Sequence, residues 1–274
     1  MSNQMQRDTD VTNRPIWARD VELFAIEGWL DPGELAATVF VADIVRGEPI
    51  LDIGVGAGRT IALLRLISSD YRAIDYVPEM IDRCRALHPT IDVRHGDARD
   101  LRAIGDDSCG LVVFSSNGID AVDHAGRRDV FASVRRVLRP GGVFFFSTLN
   151  KDSALYGARP GSAPEISWIP GSLLPATGAT AGDPGSDAGE AWGRAVVNWR
   201  RLRSATEDHG EWGIAPFAAH EFGLLTHFVT VKGLKAELAE QGFELLGLFA
   251  CEDGAPISGD SSETMYMHVV ASSR

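Results

Sequence analysis

The sequence has few cysteines and no pairing pattern among them. Its 274 residues include three, Cys84, Cys109 and Cys251, and none stands in a C-x-x-C pair or next to a histidine. We therefore expect neither a disulfide framework nor a metal site. The thiols are expected to be buried in a reducing compartment.

Long apolar runs are also absent. No stretch of about 18 apolar residues occurs, which a membrane-spanning helix would need. The first ten residues, MSNQMQRDTD, are polar and lack the apolar region of a signal peptide. The sequence therefore predicts a cytoplasmic protein without a membrane partner.

Basic residues are in the minority. The chain has 26 Lys and Arg against 38 Asp and Glu, a formal net charge of −12. Because nucleic-acid phosphates are bound mainly by clustered Lys and Arg, a nucleic-acid partner is not expected. Apolar residues make up 45% of the chain, which is enough to form a core.

The most informative segment of the chain is PILDIGVGAGRT, residues 49–60. A short apolar run contains Asp52 and is followed by Gly54, Gly56 and Gly58 at alternate positions. A helical pattern, IALL, comes next, so the segment predicts a buried parallel strand that turns sharply into a helix. Glycines there permit positive φ and let a ligand approach the bare backbone.

The spacing of these glycines separates three kinds of nucleotide site. A phosphate-binding loop would need G-x-x-x-x-G-K-[ST], and Arg59 stands where the lysine would be. A dinucleotide site would need G-x-G-x-x-G, with glycine at the position of Arg59. Both readings are therefore disfavoured.

The remaining pattern, D-x-G-x-G-x-G, resembles motif I of the class I S-adenosylmethionine-dependent methyltransferases. Four further segments resemble landmarks of that family in the right order, and they are YRAIDY at 71–76, IDVRHGDARDL at 91–101, GLVVFSSNG at 110–118 and LRPGGVFFF at 138–146. The resemblance covers residues 48–150, and residues 230–272 by pattern alone.

The resemblance implies S-adenosylmethionine as cofactor and S-adenosylhomocysteine as product. Asp75 ends the second predicted strand, where a carboxylate can accept hydrogen bonds from both ribose hydroxyls. Met80 is expected to lie against the adenine. The residues predicted to bind the cofactor are Asp52, Gly54, Gly56, Gly58, Asp75, Tyr76, Met80, Gly96, Asp97, Ala98, Ser115 and Asn117.

The alternation of strands and helices, with the resemblance, predicts an α/β fold. We expect a Rossmann-like, doubly wound sheet of seven mostly parallel strands with an antiparallel last strand. The expected parts are a helical cap over 1–48, a core over 49–150, a substrate-side insertion over 151–228, and a last helix with strands 243–251 and 264–272. Residues 160–193 lack Lys and Arg, and we expect poor order near 171–190.

All six tryptophans lie outside residues 50–150. In the family, the N-terminal helices and the segment after the fifth strand cover the active site and select the substrate. Aromatic residues there favour a flat or apolar small molecule. A second interpretation explains the positions of the tryptophans equally well: a layer that covers the sheet needs bulky residues for packing.

Methyl transfer from a sulfonium requires alignment of the reacting atoms and, where the acceptor carries a proton, a base. Histidine is the usual base near neutral pH, so the histidines of the substrate side are the candidates. We predict His220 first and His124 second, with Asp120 as the alternative carboxylate. Each of these residues also has a purely structural interpretation.

The segment Ser115-Ser116-Asn117-Gly118 lacks the Pro-Pro-Tyr or Pro-Pro-Phe sequence of amino-methylating DNA enzymes. This favours N-, O- or C-methylation of a small molecule. The sequence leaves open whether the protein is a monomer or a homodimer. Two alternatives remain open: an inactive S-adenosylmethionine-binding protein, and a nicotinamide-dependent oxidoreductase, which Arg59 disfavours.

Overall fold

The computed structural model describes residues 2–25, 28–163 and 187–274. The α-helices of these residues are α1 (Ser2–Arg19), α2 (Pro32–Ala42), α3 (Ile61–Ile67), α4 (Pro78–Leu87), α5 (His124–Val137), α6 (Asp187–Leu202) and α7 (Val231–Glu240). The strands are β1 (Ile50–Ile53), β2 (Tyr71–Asp75), β3 (Val93–His95), β4 (Cys109–Phe114), β5 (Leu138–Leu149), β6 (Glu207–Asp208), β7 (Trp212–Phe217), β8 (Leu224–Val229), β9 (Phe243–Ala250) and β10 (Tyr266–Ser273).

Seven strands form the main sheet, in the order β3-β2-β1-β4-β5-β10-β9. Strands β1 to β5 pair in parallel, and β10 pairs antiparallel with both β5 and β9. The predicted Rossmann-like fold with an antiparallel last strand is therefore confirmed. The order of strands reverses at β1, so β1 and β4 flank the crevice where ligands of such sheets bind.

Helices cover both faces of this sheet, which explains why its central strands are apolar along their length. Every residue of β1 and β4 is buried. Apolar residues of α5 and α7, such as Phe131 and Leu234, pack on one face. Residues of α2, α3 and α4, such as Val41, Leu64 and Ile81, pack on the other.

The second N-terminal helix begins with a clear start signal. The Asp31 carboxylate accepts the backbone N–H of Glu34 at 2.9 Å, and Pro32 occupies the first helical position. Both features favour helix initiation, since they satisfy or remove donors that the first turn leaves free. This start brings Asp31 beside β10, where it contacts Tyr266 and His268.

The insertion after β5 contains a second sheet, which the sequence analysis did not predict. Strands β6, β7 and β8 form it in antiparallel pairs. Residues 187–190, placed in the segment expected to be poorly ordered, form the first turn of α6. Residues 171–186 of that segment lie outside the described residues.

Among the helices of the described ranges, none combines the length and the apolar character that a bilayer crossing requires.

Candidate active site

Two adjoining cavities lie at the carboxyl ends of β1, β2 and β4. The first, here called the glycine-turn cavity, is lined by Trp17, Phe24, Gly54, Val55, Gly56, Arg59, Thr60, Asp75, Val77, Met80, Phe114, Ser115, Ser116, Gly118 and Ala121. The second, the aromatic cavity, is lined by Trp17, Phe24, Trp29, Asp31, Glu34, Arg59, Ser116, Asn117, Leu155, Phe217, Ala219, His220, Tyr266 and His268. Four residues are common to both linings, so the cavities share a wall.

The turn after β1 exposes its backbone to the glycine-turn cavity. Gly54, Gly56 and Gly58 have φ values of +63°, +57° and +100°, a region that glycine adopts without strain. A Cβ at Gly58 would lie 2.5 Å from the His88 ring, so that glycine is needed for packing. Of the three glycines predicted to bind the cofactor, Gly54 and Gly56 line the cavity and Gly58 does not.

Asp75 is the carboxylate of the glycine-turn cavity. Its two oxygens accept the backbone N–H groups of Gly56 and Val77, at 2.9 and 2.8 Å. Burial raises the pKa of this carboxyl, against the lowering effect of those hydrogen bonds. Each oxygen keeps a lone pair for a further donor, so Asp75 can hold a hydroxyl-bearing ligand while it fixes the turn.

Apolar side chains form the opposite walls of this cavity. Met80, predicted as an adenine contact, lines it together with Val77 and Phe114. At the end of β4 the chain passes through two left-handed residues, Ser116 (φ +52°) and Asn117 (φ +57°). The backbone N–H of Asn117 donates to Ser147 Oγ at 2.7 Å, which holds this turn.

Asp52, also predicted as a cofactor contact, lies beneath the glycine turn and lines neither cavity. Its Oδ2 accepts the hydroxyls of Thr60 and Tyr71 at 2.9 and 2.7 Å. Burial raises the pKa of Asp52 to about 6, although these hydrogen bonds lower it. These two hydrogen bonds link β1 to the start of α3 and to β2.

The segment after β3, predicted to hold the adenine edge, is turned toward α1. Asp97 forms a hydrogen-bonded ion pair with Arg99 at 2.6 Å, and Arg99 also pairs with Asp10 of α1 at 2.9 Å. Neither Gly96, Asp97, Ala98 nor Tyr76 is part of a cavity lining. Ser115 lines the first cavity and Asn117 the second.

His220, the first predicted base, lines the aromatic cavity. Its Nδ1 lies 2.5 Å from Asp20 Oδ2, and the ring stacks on Phe24 at 5.6 Å between centroids. Although burial opposes it, hydrogen bonds from His220 and Arg19 lower the pKa of Asp20 to about 2. An ionised carboxylate can only accept, so Nδ1 donates and Nε2 is the acceptor in the neutral imidazole. Nε2 has no hydrogen-bond partner in the described part of the chain.

A strained turn holds His220 in place. His220, Glu221 and Phe222 have φ values of +52°, +58° and +57°, which cost of the order of 1–2 kcal/mol for each non-glycine residue. The Glu221 carboxylate accepts two hydrogen bonds from Arg194 at 2.9 Å, and Asn198 donates to its carbonyl at 3.0 Å. Strain of this kind persists only where the surroundings impose it, and it concentrates at functional sites.

The other two predicted catalytic residues lie outside both cavity linings. Asp120 is fully buried, paired with Arg127 at 2.6 Å and bonded to the N–H of Leu149 at 2.6 Å. His124 stacks on Trp212 at 4.0 Å, and its Nδ1 lies 3.1 Å from His227 Nε2. Burial lowers the pKa of His124. The structure thus brings only His220, of the three, to a cavity.

Sequence reasoning missed a second histidine–aspartate pair, which lies in the lining of the aromatic cavity. Asp31 accepts His268 Nε2 at 3.0 Å and the Tyr266 hydroxyl at 2.9 Å. Although burial opposes it, these hydrogen bonds and the Glu34 N–H lower the pKa of Asp31. A polar residue inside an otherwise apolar strand, YMHVV, was the available signal.

Arg59 joins the two cavities. Its guanidinium makes a bidentate pair with Glu34 at 2.7 and 2.9 Å, and donates to Ser116 Oγ at 2.9 Å. It is the cation that both linings share, and its charge is matched by Glu34. No group of three or more potential metal ligands was found in the ranges that the structure describes.

The core of the chain is similar in sequence to known proteins. Residues 50–142 match the sequence model of a family described as Methyltransferase domain. A probable S-adenosylmethionine-dependent methyltransferase of Mycolicibacterium smegmatis is 33% identical over 106 residues, 38% of this chain and 39% of that protein. The chain thus matches about two fifths of that relative's length.

Solved structures share the fold over most of the chain. An S-adenosylmethionine-dependent methyltransferase from Mesorhizobium loti has a TM-score of 0.56 and 20% identity, covering 88% of this chain and 97% of its own. A 1,6-didemethyltoxoflavin-N1-methyltransferase from Burkholderia thailandensis has a TM-score of 0.52 and 14% identity, covering 88% and 78%. Residues 50–142 therefore match a methyltransferase-domain family, and the chain shares its fold with solved S-adenosylmethionine-dependent methyltransferases.

Proposed function

We propose that this protein transfers a methyl group from S-adenosylmethionine to a nitrogen, oxygen or carbon of a small aromatic or apolar acceptor. The observation that carries the proposal is the position of His220. Its Nε2, without a partner in the described residues, belongs to a cavity that shares a wall with the glycine-turn cavity. A base and a cofactor site that adjoin in this way are what methylation of a protonated nucleophile needs.

The residues of the glycine-turn cavity fit the family's cofactor. The bare backbone at Gly56 admits close approach, Asp75 offers carboxylate lone pairs to ribose hydroxyls, and Met80 offers an apolar contact to the adenine. When bound, S-adenosylmethionine supplies an electrophilic methyl group on a positively charged sulfur. Asp75 is the charged residue we assign to cofactor binding, because it is the lining carboxylate next to the glycine turn.

His220 is the residue we assign to the proton step. Its Nε2 takes the proton of the acceptor's hydroxyl or N–H as that atom becomes a nucleophile. Asp20 is a positioning residue, since it fixes the tautomer through Nδ1 and stabilises the imidazolium that forms. Arg19 holds Asp20 in turn, with a 2.8 Å hydrogen bond from Nη2.

The walls of the aromatic cavity support a small, flat acceptor. Trp17, Trp29 and Phe217 present ring surfaces, and Leu155 adds an aliphatic one. Apolar cavities with a few convergent polar groups are typical small-molecule sites. One neighbour of the same fold was crystallised with a small acceptor, 1,6-didemethyltoxoflavin, and S-adenosylhomocysteine.

The test begins with calorimetric titration of the full chain with S-adenosylhomocysteine, NAD and NADP. We expect saturable binding of the first alone. A preference for either dinucleotide would overturn the proposal in favour of an oxidoreductase.

A screen of small aromatic acceptors, read by release of S-adenosylhomocysteine in mass spectrometry, then tests turnover. Cofactor binding together with transfer to at least one acceptor is the expected result. Binding without transfer to any compound would support the inactive cofactor-binding protein instead.

A further inference from the structure

Three polar atoms of the aromatic cavity lack hydrogen-bond partners in the described residues. They are His268 Nδ1, Trp17 Nε1 and Asn117 Oδ1, all buried and all on residues that line the cavity. Buried polar atoms are rarely left unpaired, because each loses the hydrogen bonds that water would give it. Their concentration at one cavity indicates a ligand that carries polar groups of its own.

His268 defines the chemistry of that ligand. Its exposed fraction is 1%, and Asp31 lies 3.0 Å from its Nε2. Because the ionised Asp31 carboxylate can only accept, Nε2 donates and Nδ1 of the neutral ring is an acceptor. The unpaired Nδ1 therefore calls for a hydrogen-bond donor on the ligand, as His220 Nε2 does.

The charges of the cavity exclude a strongly anionic ligand. Asp31 and Glu34 bring two negative charges to the lining, and Arg59, which is paired with Glu34, brings one positive charge. Residues 26–27 and 164–186, which the structure does not describe, contain no Lys or Arg. A carboxylate or phosphate on the acceptor would thus meet no unpaired cation among these residues.

We propose that the acceptor is a flat, uncharged aromatic compound that carries two hydrogen-bond donors, hydroxyl or N–H. One donor is bound by His220 Nε2 and is the group that is methylated, and the other is bound by His268 Nδ1. His268 is then the residue that selects the acceptor, with Asp31 and Tyr266 as its positioning residues. This inference rests on the proposed function for the assignment of His220, and concerns the specificity of the same site.

The experiment measures binding of a matched series of rings by calorimetry, with and without S-adenosylhomocysteine. The probes are 2,3-, 2,6- and 2,7-dihydroxynaphthalene, with 2-naphthol and 2-naphthoate as the single-donor and anionic comparisons. We expect at least one diol to bind about three- to tenfold more tightly than 2-naphthol, the contribution of one additional hydrogen bond. Tightest binding of 2-naphthoate, or the absence of any diol preference, would overturn the proposal.

The variant His268→Gln sharpens this test. The Gln amide reaches the position of Nε2 and keeps a donor for Asp31, but it has no atom in place of Nδ1. The preferred diol should fall to the affinity of 2-naphthol in this variant, while 2-naphthol itself is bound as before. Equal loss for both rings would assign His268 a merely structural role and overturn the proposal.

Two controls separate the possible failures. His209→Gln replaces an exposed histidine outside the cavity, and should leave all affinities unchanged. The titration with S-adenosylhomocysteine tests the proposed function separately. Its result does not depend on whether the protein prefers a diol to 2-naphthol. Loss of cofactor binding with a retained diol preference therefore counts against the methyltransferase assignment alone.

Discussion

The glycine-turn cavity and the aromatic cavity share a wall but are built in different ways. Much of the first comes from residues 54–121, in which Gly54, Asp75 and Ser115 lie at or just after the ends of β1, β2 and β4. The second brings together residues as distant in sequence as Asp31 and His268. Residues of a site that come from neighbouring parts of the sequence recur at a recognisable spacing. Residues of a site that is assembled from distant segments show no such spacing.

The contrast extends to how each region holds its charges. Asp75 is fixed by backbone N–H groups of its own turn and of the neighbouring strand end. The two histidines of the aromatic cavity are instead fixed by side chains, His220 by Asp20 and His268 by Asp31. Substitutions in the aromatic cavity should therefore propagate to a partner residue, while those at the glycine turn should act locally.

The largest effect should come from His220→Asn, which separates catalysis from cofactor binding. Asn tolerates the left-handed φ of this position, and its amide can still donate to Asp20. The loss of Nε2 should lower turnover of an acceptor found in the screen by about 10²–10⁴-fold, the usual contribution of a general base. Affinity for S-adenosylhomocysteine should stay at the wild-type value.

The matched control is His209→Asn, an exposed imidazole of the same residue type. Wild-type turnover in His220→Asn would show that no base acts at this position. Weaker cofactor binding in the variant would contradict the assignment of cofactor binding to the glycine-turn cavity and of proton transfer to the aromatic cavity.

Much of the fold and about half of the candidate site follow from the sequence for a physical reason. Strand ends such as Asp75 and turns such as Gly56 are local features, and both of these residues, predicted to bind the cofactor, line a cavity. The roles of Asp120 and His124 depend on contacts with Arg127 and Trp212 that no local pattern records. The second sheet escaped prediction because β7 contains a proline and its partner strands are short or lie beyond a left-handed turn.

The next largest effect concerns buried ion pairs that lie outside both cavities. Arg127 is fully buried and pairs with Asp120 at 2.6 Å and with Glu237 at 2.9 Å. Arg127→Met leaves two buried carboxylates without their cation, and should lower the free energy of unfolding by about 3–5 kcal/mol in urea titration. Arg128→Met, at an exposed neighbour, is the control and should change it little.

Cofactor affinity of Arg127→Met, measured where the variant is folded, sharpens the interpretation. We expect it to be unchanged, because the ion pair lies outside both cavities. A stable variant that had lost turnover would instead return Asp120 to the candidates for catalysis.

The buried carboxylate of Asp52 should make the free energy of unfolding depend on pH. Its pKa of about 6 in the folded protein exceeds the ordinary value of 3.8, so ionisation of Asp52 opposes folding. This destabilisation is absent below about pH 4, where the carboxyl is protonated in both states, and complete above about pH 6. Relative to wild type, Asp52→Asn should therefore gain about 2–3 kcal/mol in free energy of unfolding between pH 4 and pH 7.

The measurement is urea unfolding across that pH range, with Asp43→Asn as the control. Asp43 is a highly exposed carboxylate, 87% accessible, and its substitution should leave the pH dependence as it is. A difference between Asp52→Asn and wild type that stays constant with pH would show that Asp52 titrates normally in the folded protein.

The smallest expected effect concerns Asp75, the residue predicted to bind the ribose hydroxyls. Asp75→Asn removes the charge while it keeps an oxygen that can accept one of the two backbone N–H groups. Charge-assisted hydrogen bonds to ribose should be lost, and affinity for S-adenosylhomocysteine should weaken by about 1–3 kcal/mol in calorimetry. Asp92→Asn removes an equal charge at an exposed position and controls for the change in net charge. Equal affinities of the two variants would remove Asp75 from the cofactor site.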